Sequence, residues 1–151
     1  MQLKSYFFIL FLFTSLVSYS QSSKEFNIDK NNVAVGGYDV ISYTEGNVEE
    51  GSKEYTSSFQ GVDYYFTSKE HADKFLSQPQ KYIPAYGGWC AYAMADKGEK
   101  VDVNYETYVI QNGRLMLFYN KFFSNTYEDW QEEGPDKLEK VADKNWLKII
   151  N

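Results

Sequence analysis

His71 and Cys90 are the only histidine and the only cysteine of this chain. A neutral imidazole and a thiolate are both good ligands for soft and borderline metal ions. Within hydrogen-bond reach of each other they also make a base and a nucleophile. Met94 follows Cys90 by four residues, one helical turn on and along the same face. An imidazole, a thiolate and a thioether together suit a soft ion such as Cu(I). The sharpest expectation is therefore a copper-like metal held by His71, Cys90 and Met94. A closed zinc site usually takes four ligands, and the spacing offers no such set. A thiol enzyme would also need a group to orient the base and donors for an oxyanion, and no spacing identifies either, so the chain reads as a non-enzyme. Each residue has a plain structural alternative. Lone cysteines pack as small buried groups, and methionines such as Met94 and Met116 fill gaps in a core. His71 packs on Phe66 if both flank a helix start.

The elements that position these residues follow from local pattern. Thr67-Ser68-Lys69-Glu70 reads as a capping box. It starts a helix that continues through Ala72, Phe75 and Leu76, with Pro79 ending it or opening the next turn. His71 then sits in the first turn, where the positive helix end favours neutral imidazole. Gly87-Gly88 breaks the chain before Trp89–Met94, a helix-like run with Cys90 at its start, where a thiolate is favoured. Tyr55–Phe59 and Val62–Phe66 flank Gln60-Gly61 as a hairpin. Thr107–Ile110 and Arg114–Tyr119 flank Asn112-Gly113, a strong hairpin turn because both residues tolerate positive φ. Val33–Tyr43 reads as an entry strand, a glycine turn and a helical turn, with Asp39 accepting backbone hydrogen bonds beside the turn. Two helices close the chain. One spans roughly Lys121 to Glu132; the other starts near Pro135 with Leu138, Val141, Ala142, Trp146 and Ile149 on one face. Small antiparallel hairpins packed with short helices make an α+β domain.

The N-terminus carries Lys4, an apolar run from Tyr6 to Phe13, and Ser18-Tyr19-Ser20 before Gln21. A short basic region, an apolar stretch and a small-x-small site make a secretory signal peptide over residues 1–20. The run is shorter than the roughly 20 residues of a membrane span. The expected product is secreted or periplasmic, without a stable membrane anchor. Residues 21–32 are polar and read as a tether, and residues 33–151 as one domain. The charge of −6 becomes −7 when Lys4 leaves. So acidic a domain repels phosphate backbones, which argues against nucleic acid as a partner. Arg114 is the single arginine; phosphate clamps usually use arginine. The many tyrosines suit aromatic-lined pockets or partner surfaces as well as an ordinary core.

Gly61-Val62-Asp63-Tyr64-Tyr65-Phe66-Thr67-Ser68, followed by Phe75, Pro79 and Tyr82, resembles the YHS domain. Gly37-Tyr38-Asp39-Val40-Ile41-Ser42-Tyr43 is similar to that family's opening segment. Tyr86–Ala93 and Asn145-Trp146 resemble its longer, exported bacterial members. The resemblance covers Val33 to Trp146. It implies a small YHS-like core with a C-terminal helical extension and a binding role. In short YHS modules three cysteines are associated with metal. The matching positions here are Ser42, Thr67 and His71, so that cysteine site is absent and only His71 could ligate in a like manner. The resemblance implies the fold of such a binding domain; a soft metal rests on His71 and Cys90 themselves, with a metal-free protein or small-molecule partner as the alternative.

Overall fold

A computed structural model describes residues 23–151. The signal peptide expected over residues 1–20 lies outside the described residues. The architecture is α+β: three two-stranded antiparallel hairpins packed with short helices.

The first hairpin joins β1 (Ser52–Phe59) to β2 (Val62–Phe66). Its turn residues Gln60 and Gly61 have φ of 53° and 76°, as a tight hairpin turn requires. Along β2 the residues Val62, Tyr64 and Phe66 are buried and the two between them are not, the period-two pattern of a half-covered strand. The second hairpin joins β3 (Asn104–Gln111) to β4 (Arg114–Phe118) through Asn112-Gly113, with φ of 51° and 78°. A two-stranded sheet cannot bury its own apolar face. Helices supply the cover: α1 (Val40–Glu45), α2 (Lys69–Ser77), α3 (Pro79–Tyr82), α4 (Ala91–Asp96), α5 (Thr126–Glu133) and α6 (Pro135–Ile150).

Two apolar cores result, and β4 divides them. Leu115 and Leu117 enter the first core, with Ile41, Tyr43, Tyr64, Phe66 and Phe75. Met116 and Phe118 point the other way into the second, with Met94, Trp130, Leu138 and Ala142. Buried on both faces, β4 reads as an unbroken apolar run. Each of these four side chains contributes roughly 1.5–3 kcal/mol by leaving water.

Four local expectations need correction. The helix cap before α2 is Ser68, whose hydroxyl accepts the His71 N–H at 3.2 Å. Thr67 is released from that duty because its own N–H and hydroxyl bind Asp39. Lys121 does not begin a helix. Asn120–Lys121 (β5) pairs with Ser124–Asn125 (β6), and the helix starts only at Thr126, capped by the Asn125 side chain. Val141 is 40% exposed rather than on the buried face of α6, while Leu138 and Ala142 are buried.

The polar segment before residue 33 is no free tether from Glu25 onward. Phe26 and Asn27 are buried, the Asn27 N–H donates to the Gly87 carbonyl at 2.8 Å, and the Trp89 indole donates to the Glu25 carbonyl at 2.9 Å. Gly87 makes this approach possible. It has φ of +63°, and a Cβ there would lie 2.5 Å from the Glu25 oxygen.

Candidate functional site

Asp39 caps the N-terminus of α1, and its side chain is wholly buried. Oδ1 accepts the Ile41 N–H at 2.8 Å. Oδ2 accepts the Thr67 N–H and the Thr67 hydroxyl, each at 2.9 Å, and lies 2.7 Å from His71 Nδ1. Two oxygens thus meet four donors, which offsets the cost of taking a carboxylate out of water. The group joins three elements, because Asp39 starts α1, Thr67 follows β2 and His71 belongs to the first turn of α2.

Ser42, Thr67 and His71 are the positions where the resemblance places cysteines, and all three bond to this aspartate. The Ser42 hydroxyl donates to the Asp39 carbonyl at 2.6 Å, and the other two bind the carboxylate. Thr67 and His71, 28 and 32 positions from Asp39 in the chain, therefore meet around its side chain.

The hydrogen bonds also orient the imidazole. An ionised carboxylate only accepts, which puts the proton on Nδ1 and leaves Nε2 with its lone pair in the neutral ring. The ring is 19% exposed, and Glu45 Oε2 lies 3.6 Å from Nε2, beyond hydrogen-bond reach. Glu45 ends α1 and its other oxygen takes Lys74 Nζ at 2.9 Å. The hydrogen bond and charge of the Lys74 ammonium hold the Glu45 carboxyl below its ordinary value; Glu45 in turn raises Lys74. Two ligand atoms on one tetrahedral zinc stand roughly 3.3–3.5 Å apart at metal–ligand distances of about 2.0–2.2 Å. Nε2 and Oε2 are close to that separation.

Cys90 lies elsewhere in the partner network. Its sulfur is fully buried, takes the Tyr119 N–H at 3.4 Å and lies 3.4 Å from the Thr126 hydroxyl. Its N–H donates to Val101, and it forms a parallel bridge with Leu117. His71 bonds to Asp39, Thr67 and Ser68 and faces Glu45, so the polar partners of the two residues share no member. Cys90 belongs to the first core and Met94 to the second, where Met94 is wholly buried. Neither polar partner of the Cys90 sulfur is a base. Among the described residues no group of three or more His, Cys, Asp or Glu side chains is arranged to hold a metal ion. His71 Nε2 and Glu45 Oε2 are the two donor atoms that this arrangement brings side by side, with Asp39 behind the ring.

Glu45 and Lys74 were not legible as site residues. Only the cap position of Asp39 left a local signal, its place just before an apolar helical turn. Arg114 is engaged within the fold. Its Nη1 reaches Glu139 at 2.9 Å and Asp143 at 2.8 Å, and the guanidinium lies 5.2 Å from the Tyr86 ring centre. It borders a cavity of about 230 Å³ whose walls include Phe26, Tyr86 and Trp146. Two carboxylates on one guanidinium leave that wall without net positive charge, so it is not a phosphate clamp.

No family model, no curated protein and no solved structure matches this chain.

Proposed function

We propose that the chain is an exported YHS-type binding domain whose ligand-facing group is His71. The observation that carries this reading is the convergence of Ser42, Thr67 and His71 on Asp39. Two of the positions that the resemblance gives to cysteines, Thr67 and His71, bind one carboxylate oxygen, and the third, Ser42, bonds to the main-chain carbonyl of the same residue. The ligand class that suits the donors is a divalent metal of borderline softness, taken by Nε2 and Glu45. Asp39 plays the orienting role of a carboxylate behind a metal-binding histidine. Cys90 and Met94, the softer donors of the first expectation, serve packing in this reading. The ion is then zinc or Cu(II) rather than Cu(I). Affinity is modest, because only two protein donors contribute and Lys74 competes for Glu45.

Competition against a chromophoric chelator tests this with Zn(II), Cu(II) and reduced Cu(I). His71→Ala abolishes binding, Asp39→Asn weakens it about tenfold or more, Lys74→Ala tightens it, and Cys90→Ser leaves it unchanged. Loss of Cu(I) binding in Cys90→Ser would return the site to Cys90. Equal, negligible affinity in all variants would remove metal from the function and leave a metal-free binding module.

A further inference from the structure

Phe122 and Phe123 are 95% and 107% exposed, at the tip of the β5–β6 hairpin. The other large exposed apolar side chains, such as Leu76, Val141 and Leu147, are only 38–55% exposed. Phe122 also has φ of +59°. A positive φ at the first central residue of a two-residue hairpin turn is ordinarily met by glycine, asparagine or aspartate. Neither turn chemistry nor core packing accounts for two phenylalanines here.

The hairpin differs from the rest of the molecule in charge. Asn120 to Asn125 contains no carboxylate, in a chain with 21 acidic residues and a net charge of −6. Lys121 is exposed and has no ion-pair partner among the described residues. The nearest carboxylates along the chain belong to the first turn of α5, where Glu128 accepts from the Asn125 amide at 2.9 Å. The tip thus pairs an apolar point with a cationic shoulder.

We propose that this tip inserts reversibly into the interfacial region of a zwitterionic lipid bilayer. The rings would enter the boundary between headgroups and acyl chains, where aromatic residues are favoured, and the Lys121 ammonium would lie against lipid phosphate. Size argues for lipid over protein. Two aromatic side chains bury roughly 300–500 Å² on this side of a contact, whereas a standard protein interface takes about 800 Å² from each partner. A bilayer sets no such minimum. Among the described residues no helix is long and apolar enough to cross a membrane, so the contact is peripheral. The acidic body limits it to membranes of low negative charge, since anionic lipid repels the remaining surface.

Vesicle flotation tests the proposal. The chain beginning at Gln21 contains both apolar cores and lacks the apolar N-terminal run, which could otherwise bind lipid itself. It floats with phosphatidylcholine vesicles, and less with vesicles rich in phosphatidylglycerol at low salt. Phe122→Gly together with Phe123→Ser reduces the bound fraction about tenfold or more. Lys121→Ala reduces it by much less, because zwitterionic lipid carries no net surface charge to attract the ammonium. Glycine suits the backbone at residue 122, so the double variant keeps its melting temperature, which rules out misfolding as the cause of lost binding. Failure of the parent chain to float, or equal flotation of the double variant, overturns the proposal. So does concentration-dependent self-association that requires the two phenylalanines in the absence of lipid.

Discussion

At the scale of single residues, Asp39 has the most to lose. Asp39→Ala would leave the Ile41 and Thr67 amides and the His71 ring without their acceptor. A buried donor left without an acceptor costs about 1–3 kcal/mol, and urea unfolding should show a loss of at least that size. Thr67→Val removes one hydroxyl donor and costs only about 1 kcal/mol. The Tyr64 hydroxyl is the opposite case. It is buried in the first core with no hydrogen-bond partner among the described residues, on a ring whose centre lies 4.8 Å from that of Phe75. Tyr64→Phe keeps the ring and removes the unpaired group. It is expected to raise stability by about 1 kcal/mol, and a lowered urea midpoint would contradict that. Sequence reading identified Asp39 as an acceptor of backbone bonds and His71 as a ligand candidate. It did not join them, because their contact spans 32 positions and no local pattern encodes such a pairing.

At the scale of elements, hairpin turns were the most legible features and helix starts the least. Gln60-Gly61 and Asn112-Gly113 declare themselves, because few residue pairs accept positive φ twice in succession. The start of α2 was misplaced by one residue, since Thr67 and Ser68 are both able to cap and the choice depended on Asp39. The segment Lys121–Asn125 resembled a helical start but lies in a hairpin, because capping by Asn125 delays the helix. Gly87 tests how far the N-terminal segment depends on one turn. Gly87→Ala combines a positive φ with a clash against the Glu25 carbonyl, and about 2–4 kcal/mol should be lost. Gly61→Ala shares the positive φ but has open space around its Cβ, so only about 1–2 kcal/mol is lost. Equal destabilisation of the two variants would mean that the docking of Glu25 contributes little.

At the scale of the whole molecule, tyrosines tie stability to alkaline pH. Burial raises the hydroxyls of Tyr43, Tyr64 and Tyr86 above their ordinary value, and the hydrogen bond to Glu133 pushes Tyr92 up to about 12. A group whose folded pKa is raised contributes stability that is complete below its unfolded value and lost as pH rises through the folded one. The unfolded value is near 10. The unfolding free energy should therefore be unaffected by these groups below about pH 10 and fall beyond it. Tyrosinate absorbance followed alongside denaturation checks this: several tyrosines should ionise only as the chain unfolds. Ionisation of all of them near pH 10 in the folded protein would contradict it.

The α+β class, both long hairpins, the helix opening at Pro135 and the candidacy of His71 were all written in local sequence. Each depends on periodicity or on turn and cap chemistry, which act over a few neighbouring residues. Tertiary structure alone decided which candidates lie side by side. Burial drew Cys90 and Met94 into packed cores on either side of β4, because each is an apolar group that gains by leaving water. The charge of Asp39 needed donors once it was buried, and the nearest in space were Thr67 and His71, brought there by the first hairpin and α2. The same packing placed Glu45 beside the open nitrogen of His71, a proximity that depends on how α1 and α2 meet.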